Sequence, residues 1–304
     1  MRWFGWIRRK RVNGEADAMD SAFSVVGGRT RTRGIPYAMP HDLEETNRLD
    51  FQHYLLRYAL RGNYAAPIRE PRDILDVGAG TGRWALEMAQ LFPGANVIGL
   101  DVNPLPIDEA AEAGKRADPR PPNYAFVPGN VLEGLPFADH SFDFVHMRLL
   151  IMAIPHDRWP FVVNELIRVT RLGGWVESVE TTILQNGGPA MKQIIGWSTA
   201  ILGRRGVDLM DGERVGDLLR AGRLEHVTME PVMLPCGEYG GRIGKMLAAD
   251  YISGAKGLGG LAATLGMTTP EQFQQTLTAN AAEFAAPRGR CVVPFYVSYG
   301  QRMA

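Results

Sequence analysis

The sequence predicts a doubly wound α/β fold with a mostly parallel sheet, and three observations carry that prediction. Short apolar runs at 74–77, 95–100, 124–127, 142–146 and 175–179 alternate with helical stretches at 83–91, 106–116 and 158–171. Such alternation is what βαβ units produce, with helices covering both faces of the sheet. A glycine-rich turn, Gly78-Ala79-Gly80-Thr81-Gly82, joins the first run to the first of these helices. Gly173-Gly174, after Arg168 and Arg171, stops the third helix with basic residues in its last turn and feeds straight into a strand.

Composition agrees with a soluble globular chain. Of 304 residues, 33 are Lys or Arg and 33 are Asp or Glu, and 45% are hydrophobic. That balance excludes a disordered, collagenous or strongly charged nucleic-acid-binding chain as a description of the whole, and the length allows one large or two modest domains. Cys236 and Cys291 are too few for a disulfide framework and lack metal-ligand spacing, which points to a reducing, cytoplasmic compartment and no metal. No apolar run reaches the roughly 18 residues of a membrane span.

The N-terminus departs from this evenness. Residues 1–33 carry eight basic against three acidic side chains, a net charge of +5. We expect a flexible tail over 1–34, in which Trp3, Phe4, Trp6 and Ile7 offer weak peripheral contact with an anionic membrane surface. No apolar stretch of signal-peptide length follows the charges.

Structure is expected from Tyr37 onward, with 35–69 forming a helical segment. Asp42 has the position of an N-cap with Glu45 reaching back, Leu49, His53, Leu56 and Leu60 follow at helical spacing, and Gly62 is the expected stop. His53 on that stripe reads as a hydrogen-bonded core histidine or a substrate contact. Beyond residue 182, helices are expected at 190–202 and 212–221 and strands at 227–235 and 291–299, flanking a helical insertion over 237–290. Gly257-Leu258-Gly259-Gly260 inside it reads as a turn or hinge.

The residues that carry chemistry cluster at strand ends. The glycine turn permits a tight bend, lets a ligand approach the backbone and opens a helix whose first N–H groups are unpaired. Arg83 stands where a dinucleotide fingerprint has its third glycine, and Asp76 precedes the turn by two residues; that carboxylate would repel a pyrophosphate and suit a cation. Asp101, about 20 residues on, can accept both ribose hydroxyls of an adenosine ligand or serve as a turn acid, and Asn130 can meet an adenine edge or form an Asx turn.

Taken in order, these segments resemble the class I S-adenosylmethionine-dependent methyltransferases. Leu75 to Gly82 looks like the glycine-rich motif, Gly99-Leu100-Asp101 like the ribose-binding acid, Leu135 to Asp139 with Ser141 to Val145 like the approach to the fourth strand, and Arg168 to Trp175 like the turn before the fifth. Upstream, Pro40 to His53, then Ala66-Pro67-Ile68 and Pro121-Pro122-Asn123, are similar to the LaeA-like branch associated with secondary metabolism. The resemblance implies a seven-stranded Rossmann-like sheet within a domain over 70–304, the 237–290 insertion acting as a lid and 35–69 closing the site. It implies S-adenosyl-L-methionine as cofactor, held by Asp76, Gly78, Ala79, Gly80, Gly82, Asp101, Val102, Asn130, Val131, Met147 and Arg148. The family often has an acid where Asn130 stands.

The implied reaction is methyl transfer to a small, apolar organic acceptor, such as a secondary metabolite. A base is needed only where the acceptor must lose a proton. Tyr37, His146 and Glu180 are the candidates, the latter two because they end the fourth and fifth strands, where ligands bind in open α/β sheets; a strand-end contact for His146 and an ion pair for Glu180 are the structural alternatives. Two rival functions are a non-catalytic S-adenosylmethionine-binding regulator and a nicotinamide-dependent oxidoreductase, the latter disfavoured by Asp76 and Arg83. No interleaved basic and aromatic stripe suggests nucleic acid, and a homo-oligomer is left open.

Overall fold

The alternation read from the sequence folds, in a computed structural model, into parallel strands with helices over both faces. The structure describes residues 23–26, 28–32, 34, 36–103, 120–286 and 290–303. The expected helix at 106–116 and the aromatic basic segment before residue 23 lie outside the described residues.

Two short strands, β1 (Phe23–Val26) and β2 (Arg29–Thr32), pair antiparallel ahead of helix α1 (Leu43–Ala59). The main sheet contains β3 (Asp73–Val77), β4 (Asn96–Asp101), β5 (Tyr124–Pro128), β6 (Phe142–Arg148), β7 (Thr170–Thr181), β8 (Glu225–Pro235) and β9 (Val292–Gln301). Its order is β5-β4-β3-β6-β7-β9-β8, parallel from β5 to β7, with β9 antiparallel to both of its neighbours. The order reverses between β3 and β4 on one side and β6 on the other, and a crevice opens there at the carboxyl ends of the strands.

Helix α2 (Arg83–Leu91) packs Trp84, Ala85 and Met88 on one face of the sheet, while α3 (Trp159–Val169) and α5 (Val215–Ala221) cover the other. A roof of three helices, α4 (Pro189–Gly203), α6 (Gly241–Thr264) and α7 (Pro270–Ala285), has its own apolar core, which includes Ala38, Met39, Ile194, Leu258 and Phe273. None of the described helices is long and apolar enough to cross a membrane.

Four expectations need correction. Gly173 and Gly174 do not stop the third helix, which ends at Val169; they lie inside β7, where Gly173 takes a φ of +81°. Residues 23–26 and 29–32 are not free tail: Arg29 forms paired hydrogen bonds with Asp42, and Arg31, 4% exposed, donates to the carbonyls of Ala38 and Gly257. Helix α1 turns off at Arg61, whose φ is +61°, rather than at Gly62; Asp42 does cap it by accepting from Glu45 N–H, but the Glu45 carboxylate goes to Arg48 instead of reaching back. Gly257, Gly259 and Gly260 are interior to α6. A Cβ on Gly259 would sit 2.6 Å from Cε1 of Phe273 and one on Gly257 3.0 Å from Cε of Met39. These glycines let the helix approach its neighbours closely, and no turn forms there.

Candidate active site

The crevice is a cavity of about 370 Å3 bounded below by the strand ends of β3, β4 and β6, on one side by α1, and above by α4 and α6. Its floor begins at the glycine turn, where Gly78, Gly80 and Gly82 take φ of +73°, +56° and +74°, conformations that side chains other than glycine adopt only with strain. A Cβ on Gly78 would strike the Leu150 side chain at 2.5 Å, whereas one on Gly80 would meet nothing nearer than Leu49 Cδ1 at 3.9 Å. Gly78 and Gly80 therefore differ: one is needed for packing, the other leaves open space above the backbone.

Asp101 ends β4 beside this turn. Its Oδ2 accepts from Gly80 N–H at 2.9 Å and its Oδ1 from Asn103 N–H at 3.0 Å, and burial raises its pKa above the ordinary carboxylate range. Each oxygen keeps acceptor capacity for a hydroxyl in the cavity. Ala79, Val102, Asn130, Val131 and Leu132 line the same end. The Asn130 amide is engaged locally, since Oδ1 accepts from Leu132 N–H at 3.0 Å and Nδ2 donates to Glu133 at 3.1 Å. This is the Asx-type cap that the sequence allowed as the alternative.

Asp76 touches the cavity but is 3% exposed, and its Oδ1 is 3.0 Å from Nδ1 of His146. His146, 1% exposed, stacks on Trp84 with ring centroids 3.8 Å apart and does not line the cavity. Met147 points into the core, and Gly82 caps α2 without facing the cavity. Glu180 is also outside it, accepting from Leu150 N–H at 3.1 Å and Ile151 N–H at 3.0 Å. Those bonds hold the chain just after Leu149, a non-glycine residue at φ +56°. Glu180 thus fixes a strained turn of the cavity floor, and burial pushes its pKa up to about 8. Of the three candidate bases only Tyr37 faces the cavity, its hydroxyl 3.4 Å from Glu45 and its pKa raised by burial.

Several lining residues were not singled out from the sequence. Arg48 of α1 pairs with Glu45 at 2.6 Å and with Asp250 of α6 at 3.0 Å, and Gln52 donates to Asp250 at 2.9 Å. All four line the cavity, where they tie α1 to the roof. The signal was available: Glu45, Arg48 and Gln52 are polar residues at helical spacing on the inward side of α1, which only a polar or hollow interior explains.

The comparisons with known proteins agree with this geometry. A family model described as a methyltransferase domain matches residues 74–174. Methyltransferase str2 of Strobilurus tenacellus is 37% identical over 143 residues, which is 46% of this chain and 47% of that protein. Residues 74–174, about a third of the chain, thus match a methyltransferase domain. Secondary metabolism regulator LAE1 of Cochliobolus heterostrophus is 34% identical over 156 residues, 49% of this chain and 46% of that one. The chain therefore spans about half the length of the curated relatives it matches. Among solved structures, Haemonchus contortus phosphoethanolamine N-methyltransferase 2 with phosphomonomethylethanolamine and S-adenosylhomocysteine superposes with TM-score 0.51 at 16% identity, over 86% of this chain and 59% of that one. That likeness concerns the fold.

The cofactor of such a domain is S-adenosylmethionine, and the residues present fit it. Open space above Gly80, the half-buried two-oxygen acceptor Asp101 and the Arg148 guanidinium at the β6 end share one cavity.

Proposed function

We propose that this chain transfers the methyl group of S-adenosylmethionine to a small, largely apolar organic acceptor, a secondary metabolite being the class its sequence relatives suggest. One observation carries the reading: a single cavity runs from the glycine turn and Asp101 to an apolar roof that includes Met39, Leu184, Ile195, Leu247 and Leu258. When bound, the cofactor supplies a methyl group already activated on a sulfonium centre. What remains for the protein is to orient and to exclude water. Asp101 receives the ribose hydroxyls, the backbone at 78–80 allows close approach, and α4 and α6 press the acceptor toward the floor.

The charged groups at the acceptor end bind one another. Glu45 and Asp250 share the one Arg48 cation, and Asp250 also takes Gln52, so this end of the cavity holds two hydrogen-bonded carboxylates against one guanidinium, an arrangement that disfavours an anionic acceptor. Mass spectrometry of purified protein with S-adenosylmethionine and a panel of neutral phenols, acids and amines tests the reading. A methylated product and S-adenosylhomocysteine in equal amounts are expected. Binding of NAD in preference to S-adenosylhomocysteine would overturn it.

The names of relatives such as regulator LAE1 favour a second reading, a regulatory protein that binds the cofactor. Turnover separates the two: tight S-adenosylhomocysteine binding without product from any panel member speaks for the regulator.

A further inference from the structure

Arg148, half-buried at the end of β6, lines the cavity. Among the described residues its side chain has one hydrogen-bond partner, Nδ1 of His53 at 3.0 Å. Asp76, Glu87, Glu177 and Glu180 act on it electrostatically from beyond ion-pair distance, and burial lowers its pKa. A guanidinium on a cavity wall whose one hydrogen-bond partner is a neutral ring keeps donors available to an anionic ligand.

The state of that ring follows from its partner. Guanidinium groups donate and cannot accept, so Nδ1 of His53 must be the acceptor and the ring proton lies on Nε2. Nε2 stands 3.3 Å from Oε2 of Glu87, an electrostatic contact without the alignment of a good hydrogen bond. Burial and the Arg148 charge lower the pKa of His53 to about 4, which keeps it neutral. Glu87 is itself fixed by Arg57 at 2.8 Å and Asn63 at 3.0 Å. Three elements, α1, α2 and β6, thus contribute to one chain of contacts that ends in a guanidinium with donors left over, at the same strand-end region as Asp76 and the glycine turn.

We propose that Glu87, His53 and Arg148 form a relay that holds the Arg148 guanidinium as the receptor for a carboxylate, that of the cofactor's amino-acid portion, with His53 as a positioning residue. The inference rests on the cofactor reading given above. Its polarity is consistent, since a zwitterionic amino-acid group meets an acid, Asp76, and a cation, Arg148, both lining the cavity. The planar fork of arginine matches a carboxylate with two parallel bonds, and His53 limits how that fork can rotate. A carboxylate on the acceptor would offer the same chemistry, so the test must tell the two sources apart.

Calorimetry with S-adenosylhomocysteine and with its decarboxylated analogue, which keeps the adenosine, sulfur and ammonium, makes that distinction. Arg148→Met should bind S-adenosylhomocysteine about 10- to 100-fold more weakly and the analogue within about threefold of wild type. His53→Leu should show the same selective loss, less severely. His53→Gln should recover most of it, because an amide can accept from Arg148 and donate toward Glu87. Thermal melting establishes that each variant is folded, and the glutamine variant keeps the test open should leucine disrupt α1. Equal losses for the two ligands would make the relay merely structural and overturn the proposal, as would unchanged S-adenosylhomocysteine affinity with the loss appearing only in acceptor KM. Failure of the wild-type chain to bind either ligand would strike the cofactor reading itself.

Discussion

The carboxylate of Asp101 holds the turn it is expected to read from, because Gly80 and Asn103 both donate to it. Asp101→Ala should therefore weaken S-adenosylhomocysteine binding by about 2–4 kcal/mol, combining lost ribose bonds with two released amides; titration calorimetry on the folded variant measures this. Glu180 gives a pH prediction. Its folded pKa, about 8, lies above the ordinary carboxylate value, so the folded state holds the proton more tightly than the unfolded chain. The stabilisation from this group is complete below the ordinary value and is lost as pH rises toward about 8. Urea unfolding at pH 5 and pH 8 should show wild type losing on the order of 1–3 kcal/mol more than Glu180→Gln, which cannot ionise; equal losses would mean that another group titrates. Single residues were also where sequence reading was weakest. His146 and Glu180 were placed at strand ends correctly, but a strand buried on both faces gives no sign of which side a residue faces. The bond from Asp76 to His146 spans 70 positions and that from His53 to Arg148 spans 95, separations no local pattern encodes.

At the level of elements the sequence was far more legible. Helix α2 runs over the predicted residues 83–91, since a glycine turn at one end and apolar periodicity along it agree. The glycines of α6 were misread because glycine, counted as a breaker, is also the residue that permits close helix contact. The two roles separate on one helix. Gly259→Ala should destabilise the fold by about 1–2 kcal/mol, its methyl group colliding with Phe273, even though alanine favours helix by about 1 kcal/mol. Gly254→Ala, with nothing within 4 Å, should stabilise by about 0.5–1 kcal/mol. Chemical denaturation of both variants decides, and a common sign would refute the packing account.

For the whole molecule, order begins earlier than the composition suggested. The β1–β2 hairpin reaches α6 through Arg31 and the α1 cap through Arg29. Removing residues 1–34 should lower the thermal midpoint by several degrees, because the Ala38 and Gly257 carbonyls lose a buried donor; an unchanged midpoint would show the hairpin contributes nothing. Composition missed this because Arg29 and Arg31 count as tail charge until their partners, as far away as residue 257, are known.

The antiparallel pairing of β8 and β9 has a consequence for how this protein can be altered. Cys236 N–H donates to the Cys291 carbonyl at 2.8 Å, so the chain leaves the sheet and returns to it at adjacent points. The whole excursion over 237–290 is in effect a hairpin turn grown to domain proportions. Exchanging this segment would leave Asp101 and the glycine turn untouched, but its partners beyond the two joints, Arg48 for Asp250 and Arg31 for the Gly257 carbonyl, would have to be exchanged with it.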